Sequence, residues 1–574
     1  MTETVKKEWY LYTKRADFSR IGAHFGIDPV AARVLRNRDL ITESEIDRFL
    51  NASLSDLHDA SLLPDGCKCA SIAAEKIRNG KKIRIVGDYD VDGVCASYML
   101  WDAFRSLGAD CSTVIPDRIR DGYGINHTIV ADAVRDGVDT IITCDNGISA
   151  VEELKTAKNA GLTVLITDHH DIRKDENGQE IFPPADGIIN VHRKDSLYPE
   201  KEICGAVTAW KFLSLLFREF AYPDDAYLKY LEFAALATIC DCMELKGENR
   251  IIAKEGLKVL SSGGVNGGMR ALLRCTGLAG KKVTCYSAGF VLGPCINAGG
   301  RMETAERAFS LFASPDEQTA VCRAEYLTEL NESRKELTRK GTDAAIDVVE
   351  RQKKEEKILV VCLKDLHESL AGIVAGRLKE IYGRPAIVFT DSGQKGILKG
   401  SGRSVEACNM FEELSRCADL LQKYGGHPMA AGLSVKTEDL PKLEERLNLQ
   451  TSLTEDDLKR KIWIDSELPF SWLSEKLVTD LEKLEPYGSG NEKPRFALKN
   501  VHPVNLRVMG HARNALRMDL VSEEGFVMPG VMFGEGDRIK KELEKKDRVS
   551  ILYYPVINEW NGYRTLNIQI EDYR

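Results

Sequence analysis

The chain has 574 residues, 43% hydrophobic and 29% charged, the balance of a globular protein of roughly three to five domains, which excludes a largely disordered, collagen-like or coiled-coil chain. No stretch approaches the ~18 uninterrupted apolar residues of a membrane span, and the start MTETVKKEWYLYTKR lacks the apolar centre of a secretory signal. Fifteen scattered cysteines without the two-residue spacing of a zinc or redox motif fit a reducing cytoplasm, and a net charge of −9 speaks against a generic polycation while leaving room for a local basic groove.

Near the start, residues 29–35 and 43–50 read as amphipathic helices of an accessory layer without visible chemistry. From Lys82 the pattern changes. Residues 83–86 form a short apolar strand, followed by an acidic turn and a helix over 95–107; 140–144 and 162–166 are two further strands, with helices such as 149–159 between them. Short β-rich runs alternating with helices predict a parallel α/β sheet. A polar, helix-prone stretch over 305–350, broken at Pro315, bridges to a second βαβ unit at 357–363, 368–382 and 385–389. The tail from Lys461 has strand candidates at 501–508, 549–556 and 564–570, the pattern of a small β-barrel.

The chemistry gathers at strand ends. The first strand runs into Gly87-Asp88-Tyr89-Asp90-Val91-Asp92-Gly93, three carboxylates at alternate positions that repel one another unless a cation or a turn accommodates them. An acidic surface turn with two convenient glycines is the plain reading of this segment alone. An EF-hand loop is excluded, because Met99 falls where that loop needs a bidentate glutamate. The second strand ends in Cys144-Asp145-Asn146-Gly147 and the third in Thr167-Asp168-His169-His170. Ligands of an open parallel sheet collect at the carboxyl ends of its strands, so three strands deliver Asp, Asp and Asp-His-His to one edge. Asp241 interrupts an apolar run from Ala237, where an unpaired charge is costly. Oxygen and imidazole donors without thiolate favour Mn²⁺ or Mg²⁺, and this many carboxylates suit two ions.

The set GDYDVDG, CDNG, TDHH and ICD resembles the four motifs of the DHH phosphoesterase superfamily. Tyr424-Gly425-Gly426-His427-Pro428-Met429-Ala430-Ala431-Gly432 resembles the Gly-Gly-His-Pro motif of the associated substrate domain. Residues 293–302, GPCINAGGRM, are similar to the stretch joining the two lobes in the RecJ family of that superfamily, and Pro486-Tyr487-Gly488-Ser489-Gly490-Asn491 opens what resembles its terminal OB-fold. The likeness runs from about residue 65 to the C-terminus.

The resemblance implies an α/β protein: a parallel-sheet DHH domain over 66–265, a long helical connector over 266–352, a smaller α/β DHH-associated domain over 353–452 and a C-terminal β-barrel OB-fold over 453–574, after an accessory segment 1–65. It implies Asp90, Asp92, Asp145, His169 and Asp241 as metal ligands with Asp88 beside them, Asp168 orienting a histidine, and His170 either just behind the metal ligands or at the phosphate. Arg118, Ser401 and Arg403 are expected to hold a 5′-phosphate, His427 to line the strand, and Asn297, Arg301 and His367 to touch its backbone. Cys295 stands where the family usually carries Arg, which removes one phosphate contact. In the tail, Arg507, His511, Arg513 and Arg517 are candidates for the strand-binding face, and Tyr553, Tyr554, Trp560 or Tyr563 are either stacking residues or core and barrel-end residues. The implied activity is cytoplasmic, metal-dependent degradation of single-stranded DNA 5′→3′ to mononucleotides in recombination and repair. The implied protein is a monomer with a single-stranded-DNA-binding protein and a RecQ-like helicase as partners. The rivals are a DHH phosphodiesterase for oligoribonucleotides or cyclic dinucleotides, and a non-catalytic replication scaffold.

Overall fold

A computed structural model describes residues 7–264, 266–353, 355–560 and 562–574; residues 1–6, where the reading for a secretory signal begins, and the side chain of Trp560, an expected stacking residue, lie outside the described part. The chain divides into two compact units, residues 56–460 and residues 7–55 with 461–574.

In the first unit, five parallel strands stand in the order Cys111–Val114, Ile83–Val86, Thr140–Cys144, Thr163–Thr167 and Gly187–Ile189. In chain order this is 2-1-3-4-5, so the connections diverge between Ile83–Val86 and Thr140–Cys144, and the crevice of an open sheet lies at that point. The register pairs Val86 with Thr143, Cys144 with Thr167 and Thr167 with Ile189, which brings the acidic segments after three central strands to one edge. All four residues of Ile83–Val86 and all five of Thr140–Cys144 are buried, as helices on both faces require. The helices Val91–Ser106 and Gly205–Glu219 cover one face, the latter buried along most of its length.

The predicted bridge is two helices, Glu306–Phe312 and the 36-residue Glu317–Gln352, with Asp316 capping the second by accepting the Thr319 N–H at 2.8 Å. Pro315 is the break because it cannot continue the first helix. The second lobe is a five-stranded sheet in the order Leu421–His427, Ala430–Lys436, Ile397–Arg403, Ala386–Asp391 and Leu359–Cys362, whose last pair alone is parallel.

In the second unit, six strands run Ser466–Glu467, Phe496–Met509, Ala515–Val521, Val527–Phe533, Tyr563–Tyr573 and Val549–Trp560. The 14-residue strand Phe496–Met509 also pairs with Val549–Trp560, and this second pairing closes the sheet into a barrel without long free edges. The sequence sets residues 1–65 apart as an accessory layer; the structure instead joins 7–55 to the barrel. Val34, Leu35 and Ile46 share one apolar core with Leu468, Phe470, Leu481 and Tyr553, and Lys7–Leu11 pairs with Arg460–Ile464. An amphipathic stripe shows that a partner exists but not which distant segment supplies it. Among the described residues no helix is long and apolar enough to cross a membrane.

Candidate metal centre and phosphate pocket

Asp90 caps the helix Val91–Ser106 by accepting the Gly93 N–H at 3.1 Å, and Asp92, the second residue of that helix, accepts the N–H groups of Gly205 and Ala206 at 2.7 Å each. Asp92 therefore sits at the N-terminus of a second helix, whose dipole favours its charge. Gly205 is required there: a Cβ on it would stand 2.6 Å from the Asp145 side chain. Asp145 occupies the left-handed region at φ 61°, a conformation that Asp tolerates better than most residues. Asp168 is fully buried and accepts N–H groups of Ile148 at 2.9 Å, His169 at 2.7 Å and His170 at 3.2 Å.

These elements place His169 Nε2 at 3.2 Å from Asp145 Oδ1, 3.7 Å from Asp92 Oδ2 and 3.8 Å from Asp241 Oδ2. Burial lowers the His169 pKa more than the surrounding carboxylates raise it, so the imidazole is neutral at pH 7 with its Nε2 facing Asp145, Asp92 and Asp241. Burial, then repulsion from Asp90, holds the Asp88 carboxyl well above its ordinary range; burial, then Asp92, raises Asp90 and Asp145; burial, then Asp92 and Asp90, pushes Asp241 up to about 8. Asp88 Oδ1 and Asp241 Oδ2 are buried without a hydrogen-bond donor. Unsatisfied anions around a neutral imidazole form a cation site, because a divalent ion removes both the repulsion and the unmet oxygens. Three overlapping groups have ligand atoms within 4.8 Å of one another: Asp88-Asp90-Asp145, Asp92-His169-Asp241 and Asp145-His169-His170. The donor set fits hard divalent ions such as Mn²⁺ or Mg²⁺.

His170 behaves differently from its neighbour. Burial lowers its pKa, but the hydrogen bond from Nδ1 to Asp168 Oδ1 at 2.8 Å and the charge of Asp168 outweigh that and raise it to about 9. Asp168 answers in kind: burial pushes it up, yet His170 and the backbone donors bring it below the ordinary carboxylate range. The Tyr123 hydroxyl donates to the Asp145 carbonyl at 2.9 Å and lies 3.1 Å from the His170 ring nitrogens, tying the second and third strand ends together.

Beside the carboxylates lies an open cavity of about 350 Å³ lined by Tyr89, Arg118, Arg301, Ser401 and Arg403. The Arg118 guanidinium lies over the Tyr89 ring at 4.2 Å. Arg403 donates to Ser401 Oγ at 3.2 Å and to the Gly402 carbonyl at 2.8 Å, and Arg301 donates to the Ser369 carbonyl at 3.1 Å. Burial, then Arg118, Arg334 and Arg403, lowers Arg301 to about 9; burial, then Arg118, lowers Arg403. Among the described residues none of these three guanidiniums forms an ion pair with a carboxylate, and the one carboxylate of the lining, Glu368, is paired with Lys399 at 2.8 Å, so the lining is net positive and suits an anion. The helix Ala371–Tyr382 begins at its wall, where a Cβ on Gly372 would stand 2.8 Å from both Arg403 Nη2 and Ser401 Oγ. A helix N-terminus, a hydroxyl and three arginines make a phosphate site.

Other expected residues fall elsewhere. Asn297 lies one turn before Arg301 on the helix Gly293–Met302 and is partly buried. His367 does not line the pocket; its Nδ1 meets Ser369 Oγ at 2.8 Å, and that hydroxyl donates to the Arg301 carbonyl at 2.8 Å, so it buttresses Arg301. His427 is exposed outside the cavity, although the register His427–Ala430–Arg403 puts it on the same sheet row as Arg403. Cys295 is buried and accepts from Asn331 Nδ2 at 3.4 Å. In the barrel, Tyr553 and Tyr554 are core residues and not a stacking face: the Tyr553 hydroxyl donates to the Leu468 carbonyl at 2.5 Å, and Tyr554 packs against Tyr487. Arg513 is engaged by Asp537 in two 2.6 Å bonds, whereas Arg507 and Arg517 are exposed and directly paired across strands, His511 is exposed at the hairpin turn, and Tyr563 is exposed. Tyr89, Tyr123, Ser369 and Arg334 escape sequence reasoning. Only Tyr89 leaves a signal, its place between two clustered aspartates.

A parallel sheet whose switch point gathers Asp and His residues, facing a lobe that presents an arginine pocket, is the architecture of the DHH phosphoesterases. Residues 82–238 match the N-terminal domain of the DHH family, 355–452 the DHHA1 domain and 464–572 the RecJ OB domain. The chain is 34% identical over 548 residues to the single-stranded-DNA-specific exonuclease RecJ of Bacillus subtilis, covering 95% of this chain and 68% of that protein. It is 30% identical over 570 residues to the protein of that name from Haemophilus influenzae, covering 96% and 97%. The crystal structure of RecJ in complex with Mn²⁺ from Thermus thermophilus superposes with a TM-score of 0.82 at 27% identity, covering 99% of this chain and 80% of that one. The chain belongs to the RecJ family.

Proposed function

We propose that this chain is a metal-dependent exonuclease that degrades single-stranded DNA 5′→3′ to 5′-mononucleotides in recombination and repair. The carrying observation is that one turn, residues 88–92, supplies carboxylates to the metal centre and Tyr89 to the arginine pocket. A terminal 5′-phosphate held by Arg118, Arg301, Ser401 and Arg403 sets the bond to be cut at a fixed short distance, which accounts for mononucleotide products. Asp88, Asp90, Asp92, Asp145, His169 and Asp241 would hold two divalent ions. When bound, such ions supply an activated water and steady the leaving oxygen of a phosphodiester. Asp168 keeps His170 protonated, and the imidazolium offsets charge that builds on the phosphate. His427 and Asn297 extend the strand's path in this reading, and Arg507 and Arg517 are the barrel's own candidates for contact with the strand. A single-stranded-DNA-binding protein and a RecQ-like helicase are its expected partners, a monomer its expected state and the cytoplasm its expected place, in keeping with fifteen free cysteines.

The complete carboxylate and imidazole set argues against a silent scaffold, and the match to the RecJ OB domain argues against a dinucleotide-sized substrate. The test uses purified protein, Mn²⁺ and one single-stranded oligonucleotide labelled separately at each end. The 5′ label should appear at once as mononucleotide while the 3′-labelled strand shortens stepwise, and EDTA should stop both. Survival of long DNA with hydrolysis of dinucleotides or cyclic dinucleotides, or binding without cleavage, would overturn the reading.

A further inference from the structure

A second cavity, of about 520 Å³ against about 350 Å³ for the phosphate pocket, opens between the long helix Glu317–Gln352 and the carboxyl end of the strand Leu359–Cys362. Residues 362–367 and 370 line it, while Glu368, Ser369 and Ala371 line the phosphate pocket, so one loop is a wall of both. The helix contributes residues 337, 340, 341 and 344, spacings that fall on a single face. Gly341 sets the depth: a Cβ on it would stand 2.8 Å from Leu366 Cδ1, so only glycine lets loop and helix meet there. The loop is held from behind by Thr390, a buried residue whose hydroxyl is shared between the carbonyls of Leu366 and, at 3.2 Å, Lys364. The Leu363 N–H also donates to the Phe389 carbonyl at 2.8 Å. The cavity is therefore built into the fold, and its volume is that of a small-molecule site.

Leu337, Ala344, Leu363, Leu366 and Leu370 supply apolar walls, and the exposed Lys340 and Lys364 bring one cation from the helix and one from the loop. Among the described residues Lys364 forms no ion pair. Lys340 has an exposed contact with Glu336 at 3.5 Å, which contributes little in water. His367 adds an imidazole whose Nδ1 is committed to Ser369 Oγ at 2.8 Å and whose Nε2 has no hydrogen-bond partner among the described residues. Asp365 is the one carboxylate of the lining, which leaves it net positive. Cations beside an apolar slot recognise an amphipathic anion, one with a flat apolar body and a phosphate at its edge.

We infer that this cavity is a second binding site for a nucleoside 5′-monophosphate, with the base between the leucines and the phosphate at Lys340, Lys364 and His367. The choice of ligand rests on the exonuclease reading above, because that reaction releases this class of molecule beside the other cavity walled by the same loop. Inorganic phosphate lacks the body that the leucines cover, and a nucleoside lacks the charge that the lysines meet. Leucine walls read no base edge, so any base fits. A nucleotide held there bears on Arg301, because His367 meets Ser369 Oγ and that hydroxyl donates to the Arg301 carbonyl at 2.8 Å.

Calorimetric titration of the full chain with 2′-deoxyadenosine 5′-monophosphate in EDTA counts the sites without any cleavage. Wild type should bind two equivalents, one in each cavity. Arg403→Gln should keep the equivalent in the second cavity. Ala344→Phe, at an exposed position whose ring would fill that cavity, should keep the other, and the combined variant neither. In the Arg403→Gln background, deoxyadenosine and inorganic phosphate should each bind at least about tenfold more weakly than the nucleotide. Lys340→Glu/Lys364→Glu in the same background should lose at least about tenfold. A single equivalent in wild type that Arg403→Gln abolishes, or equal binding of nucleoside and nucleotide, overturns the second site. Because the assay needs no metal, the two readings fail separately. Nucleotide in the second cavity of a chain that cleaves no oligonucleotide overturns the exonuclease reading alone, and cleavage by a chain with no such equivalent overturns the second site alone.

Discussion

The Tyr89 ring lies beneath the Arg118 guanidinium at 4.2 Å, while the residues on either side of it, Asp88 and Asp90, turn into the carboxylate cluster. Adjacent residues of one tight turn point in opposite directions, so the spacing between phosphate pocket and metal centre is fixed by covalent geometry and not by the approach of two flexible loops.

That relationship predicts a separable effect. A partly desolvated cation–π contact contributes ~0.5–2 kcal/mol, so Tyr89→Ala should raise KM for 5′-phosphorylated single strands about 2- to 30-fold. Tyr89→Phe should keep wild-type KM. On a 5′-hydroxyl substrate the Ala variant should differ much less from wild type, because Arg118 then has no terminal phosphate to hold. Steady-state kinetics on the paired substrates decide it; an equal loss on both would place Tyr89 in the metal centre instead.

The carboxylate cluster couples stability to pH and metal. Asp88, Asp90, Asp145 and Asp241 all have folded-state pKa values above their ordinary ones, Asp241 at about 8. The folded chain thus holds protons that the unfolded chain gives up above about pH 4. Stability from these groups is present at low pH and is lost as pH rises through the folded values. Metal-free protein should therefore melt at progressively lower temperature between about pH 5 and pH 8, and Mn²⁺ should raise the melting temperature more at pH 8 than at pH 5.5. Asp145→Asn, whose side chain is also at ease at φ 61°, should abolish cleavage yet melt higher than wild type without metal at pH 8. A flat metal-free profile would mean that the carboxylates are already compensated within the protein.

Gly205 tests the same centre without touching a charge. A Cβ on it collides with Asp145 at 2.6 Å, and its N–H holds Asp92 at 2.7 Å. Gly205→Ala should displace Asp145 and weaken Mn²⁺ binding by at least about tenfold, with the circular dichroism spectrum unchanged. Isothermal titration with Mn²⁺ reads this directly, and wild-type affinity in the variant would show that Asp145 carries no metal.

The centre was legible because its residues sit where local rules are strongest. A short buried strand rich in β-branched residues announces its own end, and carboxylates placed just after three such ends have one edge to share. The edge strands Cys111–Val114 and Gly187–Ile189 are short, and the first is only partly buried, so neither has a pattern to detect. Tyr553 and Tyr554 could be read as stacking residues or as core, because closure of the barrel, which buries them, depends on the second pairing of Phe496–Met509 with Val549–Trp560. The docking of residues 7–55 on the barrel is likewise a contact across more than 400 positions, as in Asn37 Nδ2 donating to the Asp465 carbonyl at 3.1 Å. Nothing local encodes such a partner.

The most demanding structural test lies outside the site. Lys211 is 1% exposed on the helix Gly205–Glu219, and its Nζ donates to Glu248 Oε1 and to the His58 carbonyl, each at 2.7 Å. Glu248 is fully buried and also accepts from the His58 N–H at 2.6 Å and from the Tyr198 hydroxyl. Burial lowers Lys211 more than Glu248 raises it, which shows that desolvation outweighs attraction on the lysine side. Removing one partner leaves the other charge buried and uncompensated, a loss of about 3–5 kcal/mol. Lys211→Met should accordingly lower the urea midpoint of the unit spanning residues 56–460 strongly. Lys211→Met/Glu248→Leu should recover only part of it, because the two charges are gone but the Tyr198 hydroxyl and the His58 N–H lose their acceptor. Full recovery in the double variant would show that the pair is the whole interaction and that its hydrogen-bonded neighbours contribute nothing. A wild-type midpoint for Lys211→Met would instead mean that Glu248 takes up a proton when its partner leaves, and unfolding at pH 9 would then expose the missing stability.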